Sequence, residues 1–283
     1  MFRRQLRNPI LQNKLAFIRY NSNAKQKRLV RGLSNLFDRP NRIILVRHGQ
    51  SLGNVDEHEY VVTPDWKIPL SKKGREQAFD AGLKLNTLIG EKGKVFFYVS
   101  PYVRTRETLQ GILESFRKSQ VIGIREEPRI VEQQFGNFQN YDDVKKAKID
   151  RSSFGRFFYR FPNGESGLDV YNRVTSFIST LFRDALQLRA KMGGLENVNL
   201  VIVTHGLTLR LFLMRWFQYN VVEFESTKNP GNADVVVMER SHAESGVQYF
   251  KPCEDAMKSM SFPRWERSTA GGLERKYSFG KCD

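Results

Sequence analysis

The chain contains 283 residues, and its 46 lysines and arginines exceed its 30 aspartates and glutamates, which gives a formal net charge of +16. Hydrophobic residues make up 40% of the chain and occur in compact runs separated by polar segments, which excludes a fibrous or wholly disordered protein. No run approaches the roughly 20 apolar residues that a membrane-spanning helix needs.

The first 37 residues carry nine basic side chains and no acidic one, so they supply more than half of the net charge. This segment, residues 1–37, has an apolar patch from Leu15 to Ile18 and resembles a mitochondrial transit peptide, which predicts a mitochondrial location. Asn and Pro interrupt the amphipathic helix that such peptides need. The alternative is therefore a disordered basic arm that binds anionic lipid or nucleic acid without specificity, on a cytoplasmic protein.

Residues 38–251 alternate apolar runs typical of strands with stretches typical of helices, which predicts one folded domain. Strands are predicted at Arg42 to Val46, Val95 to Ser100, Val121 to Arg125, Leu200 to Thr204, Asp234 to Glu239 and, at an edge, Val247 to Phe250. Helices are predicted over Lys72 to Ile89, Arg104 to Lys118, Leu168 to Ala190 and Leu207 to Gln218. This alternation favours a three-layer α/β fold in which a mostly parallel sheet carries helices on both faces.

After Pro252 the sequence is rich in Ser, Gly and Lys and has no hydrophobic period, so residues 252–283 are predicted to be disordered. The two cysteines, Cys253 and Cys282, lie in this tail and share no metal-ligand spacing with the four histidines. We therefore expect neither a disulfide framework nor a metal site, and no cofactor.

The first candidate for chemistry is Arg47-His48-Gly49, directly after the first predicted strand. Side chains at the carboxyl end of a parallel strand point into the crevice where α/β proteins bind ligands. A guanidinium can bind two oxygens of a phosphate, while a neutral imidazole can attack phosphorus. Nearby positive charge lowers a histidine pKa and so favours that neutral form.

The second candidate is Thr204-His205-Gly206, which again follows an apolar strand and opens a helix. A single histidine in such a place is more often a satisfied structural residue than a catalytic one. Two histidines at equivalent strand ends, each followed by glycine, make that explanation a poor one. The pattern indicates that both belong to one site.

Five segments together resemble the histidine phosphatase superfamily, also called the phosphoglycerate mutase-like fold. They are Arg47-His48-Gly49, Ser100 to Thr108, Val131 to Gly136, Pro162 to Ser166 and Thr204-His205-Gly206. Their order and spacing match the superfamily across about residues 42–239. Two runs, Ser153 to Ser166 and Pro64 to Leu70, are similar to plant and fungal phosphoglycerate mutase-like proteins grouped with broad-range acid phosphatases.

The resemblance implies a role for each matching residue. His48 would be the nucleophile that becomes phosphohistidine. Arg47, Arg104 and His205 would bind the phosphoryl oxygens and stabilise their charge during transfer. Glu132 would protonate the leaving oxygen and then accept a proton from the attacking water.

Two further groups are expected to donate hydrogen bonds to the phosphate, and two other glutamates are alternatives to Glu132 as the proton donor. Asn54 and the backbone amide after Gly206, at a helix N-terminus, are expected to donate to the phosphate as well. Glu126 or Glu127 would be the proton donor if the match at Glu132 were shifted. Arg106 lies only two residues after Arg104 on a predicted helix, so it is expected to face solvent.

The function that these residues favour is metal-independent hydrolysis of small phosphomonoesters through a phosphohistidine. A mutase is the alternative among enzymes, although the sequence after Gly136 lacks an insert similar to that of bisphosphoglycerate mutases. A non-catalytic adaptor that binds phosphorylated ligands is the alternative from another class. No base-reading module is present, so no specific nucleic-acid partner is predicted, and the oligomeric state is left open.

Overall fold

The computed structural model describes residues 39–136, 141–242 and 248–265. Six strands in these ranges form one sheet. They are β1 (Arg42–Arg47), β2 (Lys94–Val99), β3 (Val121–Glu126), β4 (Val198–Thr204), β5 (Val235–His242) and β6 (Gln248–Pro252). All six strand predictions are confirmed, with ends that differ by at most three residues.

The sheet is mostly parallel. Its strand order is β3-β2-β4-β1-β5-β6, and β1 to β4 run in the same direction. Strand β5 is antiparallel to both of its neighbours, β1 and β6. Strand β4 lies between β2 and β1 and is buried along all seven of its residues, which agrees with the apolar run from Leu200 to Val203 at its centre.

Nine α-helices surround the sheet in the described residues. They are α1 (Leu52–Val55), α2 (Glu59–Val62), α3 (Lys72–Ile89), α4 (Val103–Leu113), α5 (Tyr141–Phe154), α6 (Gly167–Met192), α7 (Gly206–Phe217), α8 (Val221–Glu225) and α9 (Glu254–Ser259). Helix α3 begins at Lys72, as predicted, and the Ser71 hydroxyl caps it by accepting a hydrogen bond from the Gly74 amide. None of these helices is long and apolar enough to cross a membrane.

Two hydrophobic cores lie on opposite faces of the sheet. Because side chains alternate along a strand, Ile43 and Leu45 of β1 pack with α6 and α7, whereas Ile44 and Val46 pack with α3 and α4. The three-layer architecture is thus confirmed. The residues that follow β1, β2 and β4 meet at the carboxyl ends of these parallel strands.

The C-terminal segment corrects one expectation. The sequence predicts disorder after Pro252, but Pro252 pairs with Met238 in the sheet and Met257, Met260 and Phe262 are buried in the core beneath α7. Helix α9 is only six residues long, too short to show a hydrophobic period in the sequence. Residues 266–283 and the predicted leader, residues 1–37, lie outside the described residues.

One predicted helix needs correction, and one long helix in the structure is not predicted. The helix predicted from Arg104 to Lys118 ends at Leu113, where residues 114–116 form a turn. Helix α5 has no counterpart among the predicted helices, because its sequence lacks a clear apolar stripe and most of its described side chains are exposed. This helix borders the functional site described next.

Candidate active site

Two histidines follow neighbouring parallel strands at one edge of the sheet. Arg47, the last residue of β1, pairs with Thr204, the last of β4, so His48 and His205 leave the sheet side by side. Their ring centroids lie 5.2 Å apart in an edge-to-face arrangement, and both side chains are buried. The structure therefore brings together the two histidines that the sequence singles out.

The ring of His48 is held in one orientation. Its Nδ1 lies 2.7 Å from the carbonyl oxygen of Gly49. Because a carbonyl oxygen only accepts hydrogen bonds, Nδ1 carries the ring hydrogen, and Nε2 of the neutral ring then has the free lone pair. Gly49 must be glycine here, since an added Cβ would clash with the carbonyl oxygen of Gly74 at the start of α3.

Both histidines have lowered pKa values. Burial lowers the pKa of His48 well below the ordinary 6.5, and the positive charges of Arg104 and Arg47 lower it further. Burial is also the main cause that lowers the pKa of His205, followed by the charge of Arg104. Both rings therefore stay neutral where an ordinary histidine takes up a proton, and neutral is the form in which Nε2 of His48 can act as a nucleophile.

We expect His48 and His205 to show no protonation step near pH 6.5 in the ligand-free protein and to titrate only well below it. An NMR titration of the imidazole nitrogens measures this, and variants that each lack one histidine assign the signals. The same protein unfolded in urea is the control, because there all four histidines are expected to titrate near 6.5. A midpoint at 6.5 for His48 in the folded protein would contradict the electrostatic argument.

Arg104 places a fixed positive charge beside the histidines. Its guanidinium lies 4.8 Å from the ring of Tyr102, and that ring lies 5.0 Å from the ring of His205. It donates to the backbone oxygen of Asp65 at 2.6 Å and forms an ion pair with the Asp65 carboxylate at 2.9 Å. Arg104 is only 2% exposed, so this charge is little screened by water.

Three buried nitrogens around the histidines have no hydrogen-bond partner among the described residues: Nε of Arg47, Nε of Arg104 and Nδ1 of His205. The other nitrogen of His205 lies 2.8 Å from the Ser100 hydroxyl. When that hydroxyl donates to Nε2, Nδ1 carries the hydrogen and is a free donor like the two guanidinium nitrogens. Buried donors without partners are costly, and the oxygens of a phosphate would satisfy them.

The side chain of Glu132, which belongs to the loop after β3, contacts the first turn of α7 just after His205. The Thr208 hydroxyl is 3.2 Å from its Oε1, and the Leu207 amide is 3.4 Å from its Oε2. Arg173 fixes the backbone of this segment by donating to the carbonyl oxygens of Val131 and Glu132. The carboxyl of Glu132 is therefore positioned near His205 by its neighbours on both sides.

The Pro162-to-Ser166 motif supports this arrangement without touching the histidines. Glu165 forms an ion pair with Arg173 at 3.0 Å and also accepts a hydrogen bond from the Gln134 amide. Ser166 caps the N-terminus of α6 in a capping box with Asp169. The motif thus acts on the site through Arg173, which orients the loop that carries Glu132.

The two alternative acids lie in different surroundings. Glu126 is exposed and pairs with the exposed Arg106, whose solvent-facing position agrees with the expectation. Glu127 is buried, which would raise the pKa of its carboxyl, but hydrogen bonds from Arg129 outweigh burial and hold that pKa below the usual value. Of the three glutamates, Glu132 is the one that contacts α7 just after His205.

The two additional phosphate donors are placed less directly. Asn54 is exposed, and its side-chain oxygen accepts from the Ser51 amide at 3.2 Å and from Asn232 at 3.1 Å. Gly206 is the first residue of α7, but the amide after it, that of Leu207, is directed at Glu132. The sequence predicts that this amide faces the phosphate, and the structure gives it another partner.

Three further residues hold the site together although the sequence predicts no role for them: Asp65, Ser100 and Arg173. Ser100 directly follows β2 at the same sheet edge as the two histidines, so its position at the end of a predicted strand is a usable signal. Asp65 and Arg173 have none, because they reach Arg104 and Glu132 only through the tertiary fold. Among the described residues, no group of three or more His, Cys, Asp or Glu side chains is placed to hold a metal ion.

Comparison with known protein families gives one match that covers most of the chain. The model of the histidine phosphatase superfamily, branch 1, matches residues 43–251. A phosphoglycerate mutase-like protein of Arabidopsis thaliana, AT74H, is 51% identical over 208 residues, which span 71% of this chain and 74% of that protein. The broad-range acid phosphatase DET1 of Saccharomyces cerevisiae is 30% identical, over 71% of this chain and 86% of that protein.

Solved structures show the same fold at low sequence identity. A protein described as mycobacterial hydrolase 1 superposes with a TM-score of 0.58 at 20% identity, over 75% of this chain and 97% of that chain. A mycobacterial glucosyl-3-phosphoglycerate phosphatase, in complex with VO3, gives a TM-score of 0.57 at 20% identity, with the same coverage. At this sequence identity, both superpositions show only that the arrangement of strands and helices is shared.

Proposed function

Since this chain belongs to the histidine phosphatase superfamily, branch 1, we propose that it hydrolyses phosphomonoesters through a phosphohistidine formed on His48. The observation that carries the proposal is the hydrogen bond from Nδ1 of His48 to the Gly49 carbonyl, because it leaves Nε2 with a free lone pair in a ring that burial keeps neutral. The unpartnered donors of Arg47, Arg104 and His205 around it fit a phosphoryl group.

The reaction takes two steps. In the first, Nε2 of His48 attacks phosphorus, the bond from phosphorus to the leaving oxygen breaks, and Glu132 gives its proton to that oxygen. In the second, water attacks the phosphohistidine, the bond from phosphorus to nitrogen breaks, and Glu132 takes the proton from water. Inorganic phosphate leaves, and both side chains return to their starting states.

Electrostatic stabilisation of the transferring phosphoryl group falls to the cations of the site. Negative charge spreads over three oxygens during transfer, and fixed positive groups that need no rearrangement stabilise it. Arg47 and Arg104 supply that charge, and the ion pair with Asp65 fixes the position of Arg104. A metal ion is therefore not required by this mechanism.

Hydrolysis and mutase chemistry differ only in what attacks the phosphohistidine. Similarity to a broad-range acid phosphatase favours water as the acceptor. Similarity to a phosphoglycerate mutase-like protein, and at 30% identity to a 2,3-bisphosphoglycerate-dependent phosphoglycerate mutase of Parvibaculum lavamentivorans, keeps a hydroxyl acceptor as the second candidate.

A screen of the purified full chain against many phosphomonoesters tests the proposal. We expect release of inorganic phosphate from several esters, at the same rate with and without EDTA. A parallel reaction with 3-phosphoglycerate and a trace of 2,3-bisphosphoglycerate reports mutase activity as formation of 2-phosphoglycerate without loss of phosphate. Activity that disappears with EDTA and returns with Mg²⁺ or Zn²⁺ would contradict the metal-free mechanism, and ester binding without turnover would favour an adaptor.

A further inference from the structure

A tyrosine on the short helix α2, Tyr60, has no role in the mechanism above, although its ring packs against two segments of the site. Phe135, which follows Glu132 by three residues, lies 6.3 Å from this ring in an edge-to-face arrangement. Gly53, the residue before Asn54, is so close that an added Cβ would come within 2.8 Å of the ring and 3.1 Å of the hydroxyl oxygen. The ring of Tyr60 can lie here only because residue 53 is glycine.

Two contacts join the segment that carries Tyr60 to helix α5. The ammonium of Lys148 on α5 lies 5.9 Å from the centre of the Tyr60 ring and forms an ion pair with Glu57 at 2.7 Å. The rings of His58 and Tyr141 lie 6.4 Å apart. The ring of Tyr60 is therefore bounded by α1, by the loop after β3 and by α5, which preorganises its hydroxyl.

The hydroxyl of Tyr60 lies among the charged groups of the site. Burial raises the pKa of Tyr60 to about 12. The charges of Arg104 and Arg47 act against this rise. Those of Asp65 and Glu132 add to it. The hydroxyl is therefore close enough to these four side chains for each charge to act on it, and it keeps its proton at neutral and acidic pH.

This hydroxyl is a hydrogen-bond donor without an acceptor. It forms no hydrogen bond with any residue that the structure describes. Nε of Arg47 and Nε of Arg104, whose charges act on the hydroxyl, also lack partners there. A group with several acceptor oxygens beside His48 would satisfy all three donors, and a phosphoryl group has such oxygens.

We propose that Tyr60 is a further phosphate-binding residue, whose hydroxyl donates a hydrogen bond to a non-bridging oxygen of the phosphoryl group that is transferred to and from His48. This inference rests on the proposed function, because the phosphoryl group would occupy the histidine site. No proton is transferred in this contact, since the hydroxyl stays neutral. Non-bridging oxygens are common to all phosphomonoesters and to inorganic phosphate, so the contact is independent of the leaving group.

Tyr60→Phe tests the contact, because it removes the hydroxyl oxygen and keeps the ring that packs against Gly53 and Phe135. A hydrogen bond to a charged acceptor is lost, so we expect kcat/KM to fall by about 10- to 100-fold. The factor is expected to be the same for alkyl and for activated aryl phosphates. A hydroxyl that acted on Glu132 would instead affect the leaving oxygen and make the loss larger for alkyl phosphates.

Binding of inorganic phosphate measures the same contact without turnover. Calorimetric titration of phosphate into the full chain is expected to give a Kd about tenfold higher for Tyr60→Phe than for the wild type. Tyr141→Phe is the matched control, because it removes a hydroxyl from an exposed tyrosine on α5 and keeps the ring beside His58. This control is expected to bind phosphate and to hydrolyse esters like the wild type.

Gly53→Ala tests the placement of the hydroxyl separately. The new methyl group displaces the end of the Tyr60 ring, so the affinity for phosphate is expected to fall. In a protein that already carries Tyr60→Phe, the same substitution displaces a ring without a donor, and the further loss of affinity is expected to be several-fold smaller. A purely structural role of Tyr60 would not produce this coupling in phosphate affinity.

The possible results separate the role of Tyr60 from the activity itself. Equal phosphate affinity and equal kcat/KM in the wild type and Tyr60→Phe would overturn the role of Tyr60, and so would a loss that grows with the pKa of the leaving group. If no ester were hydrolysed, the proposed function would fail, and the phosphate titration would still decide whether Tyr60 binds phosphate. A wild-type protein that bound no phosphate would overturn that role as well.

Discussion

Replacing His48 by alanine is expected to abolish both turnover and the phosphorylated intermediate, with a loss of roughly four to six orders of magnitude in kcat. The neighbouring arginines remain in the variant, so substrate still binds, but no nucleophile is left to accept the phosphoryl group. The measurement is a rapid quench of the wild-type protein with a ³²P-labelled phosphomonoester. A phosphoryl group on imidazole nitrogen is labile in acid and stable in base, which distinguishes it from phosphoserine.

His242→Ala is the matched control for this experiment. His242 is an exposed histidine at the end of β5, far along the strand from the histidine pair, and its removal is expected to leave labelling and turnover intact. Label that persists in the His48 variant at the wild-type level would assign the nucleophile to another side chain. Loss of label in both variants would indicate damage to the fold instead, which circular dichroism of the two proteins detects.

Replacing Glu132 by glutamine is expected to slow hydrolysis by about 10²- to 10⁴-fold for alkyl phosphates and much less for activated aryl phosphates. An alkoxide leaves poorly unless a proton reaches it as the bond breaks, whereas a nitrophenolate leaves without one. The amide keeps the size of the side chain and its contacts with Thr208 and Leu207 can be rearranged, so binding is little affected. A series of substrates with graded leaving-group pKa values measures this as a steeper dependence of kcat/KM in the variant.

Glu126→Gln provides the control, since Glu126 is exposed and pairs with Arg106 on the surface. It is expected to retain the wild-type dependence on the leaving group. If Glu132→Gln slowed activated and unactivated esters by the same factor, Glu132 would have an electrostatic role without proton transfer. Glu127 would then be the acid to test, although hydrogen bonds from Arg129 hold its pKa below the usual value and so disfavour the protonated form that a general acid needs.

The strands and the two histidines can be predicted because they are encoded locally. Each parallel strand is a short apolar run, and the residue after it must lie at the carboxyl edge of the sheet whatever the order of the strands. His48 and His205 are therefore recognisable from the sequence alone. The pairing of β1 with β4, which sets their rings 5.2 Å apart, is not readable from the runs themselves.

The parts that escape prediction depend on distant segments of the chain. Asp65 reaches Arg104 from a short turn, and Arg173 reaches the Glu132 loop from a helix some forty residues further along the chain, so no local pattern marks either contact. Helix α5 carries Lys148, which contacts Tyr60, but has no strong apolar stripe. The segment after Pro252 reads as polar because its few buried residues are spaced irregularly, yet they complete the core beneath α7.

The position of β1 in the sheet has a consequence for how the protein is made. Arg42 on β1 is hydrogen-bonded to Asn199 on β4 and to Glu239 on β5, at sequence separations of 157 and 197 residues. A ribosome therefore releases the nucleophile strand long before either neighbour exists. Until β4 and β5 emerge, both edges of an apolar strand stay unpaired, which exposes nascent chains to aggregation. Such long-range pairing slows folding, so β1 stays unpaired on the emerging polypeptide, which is the stage at which chaperones act.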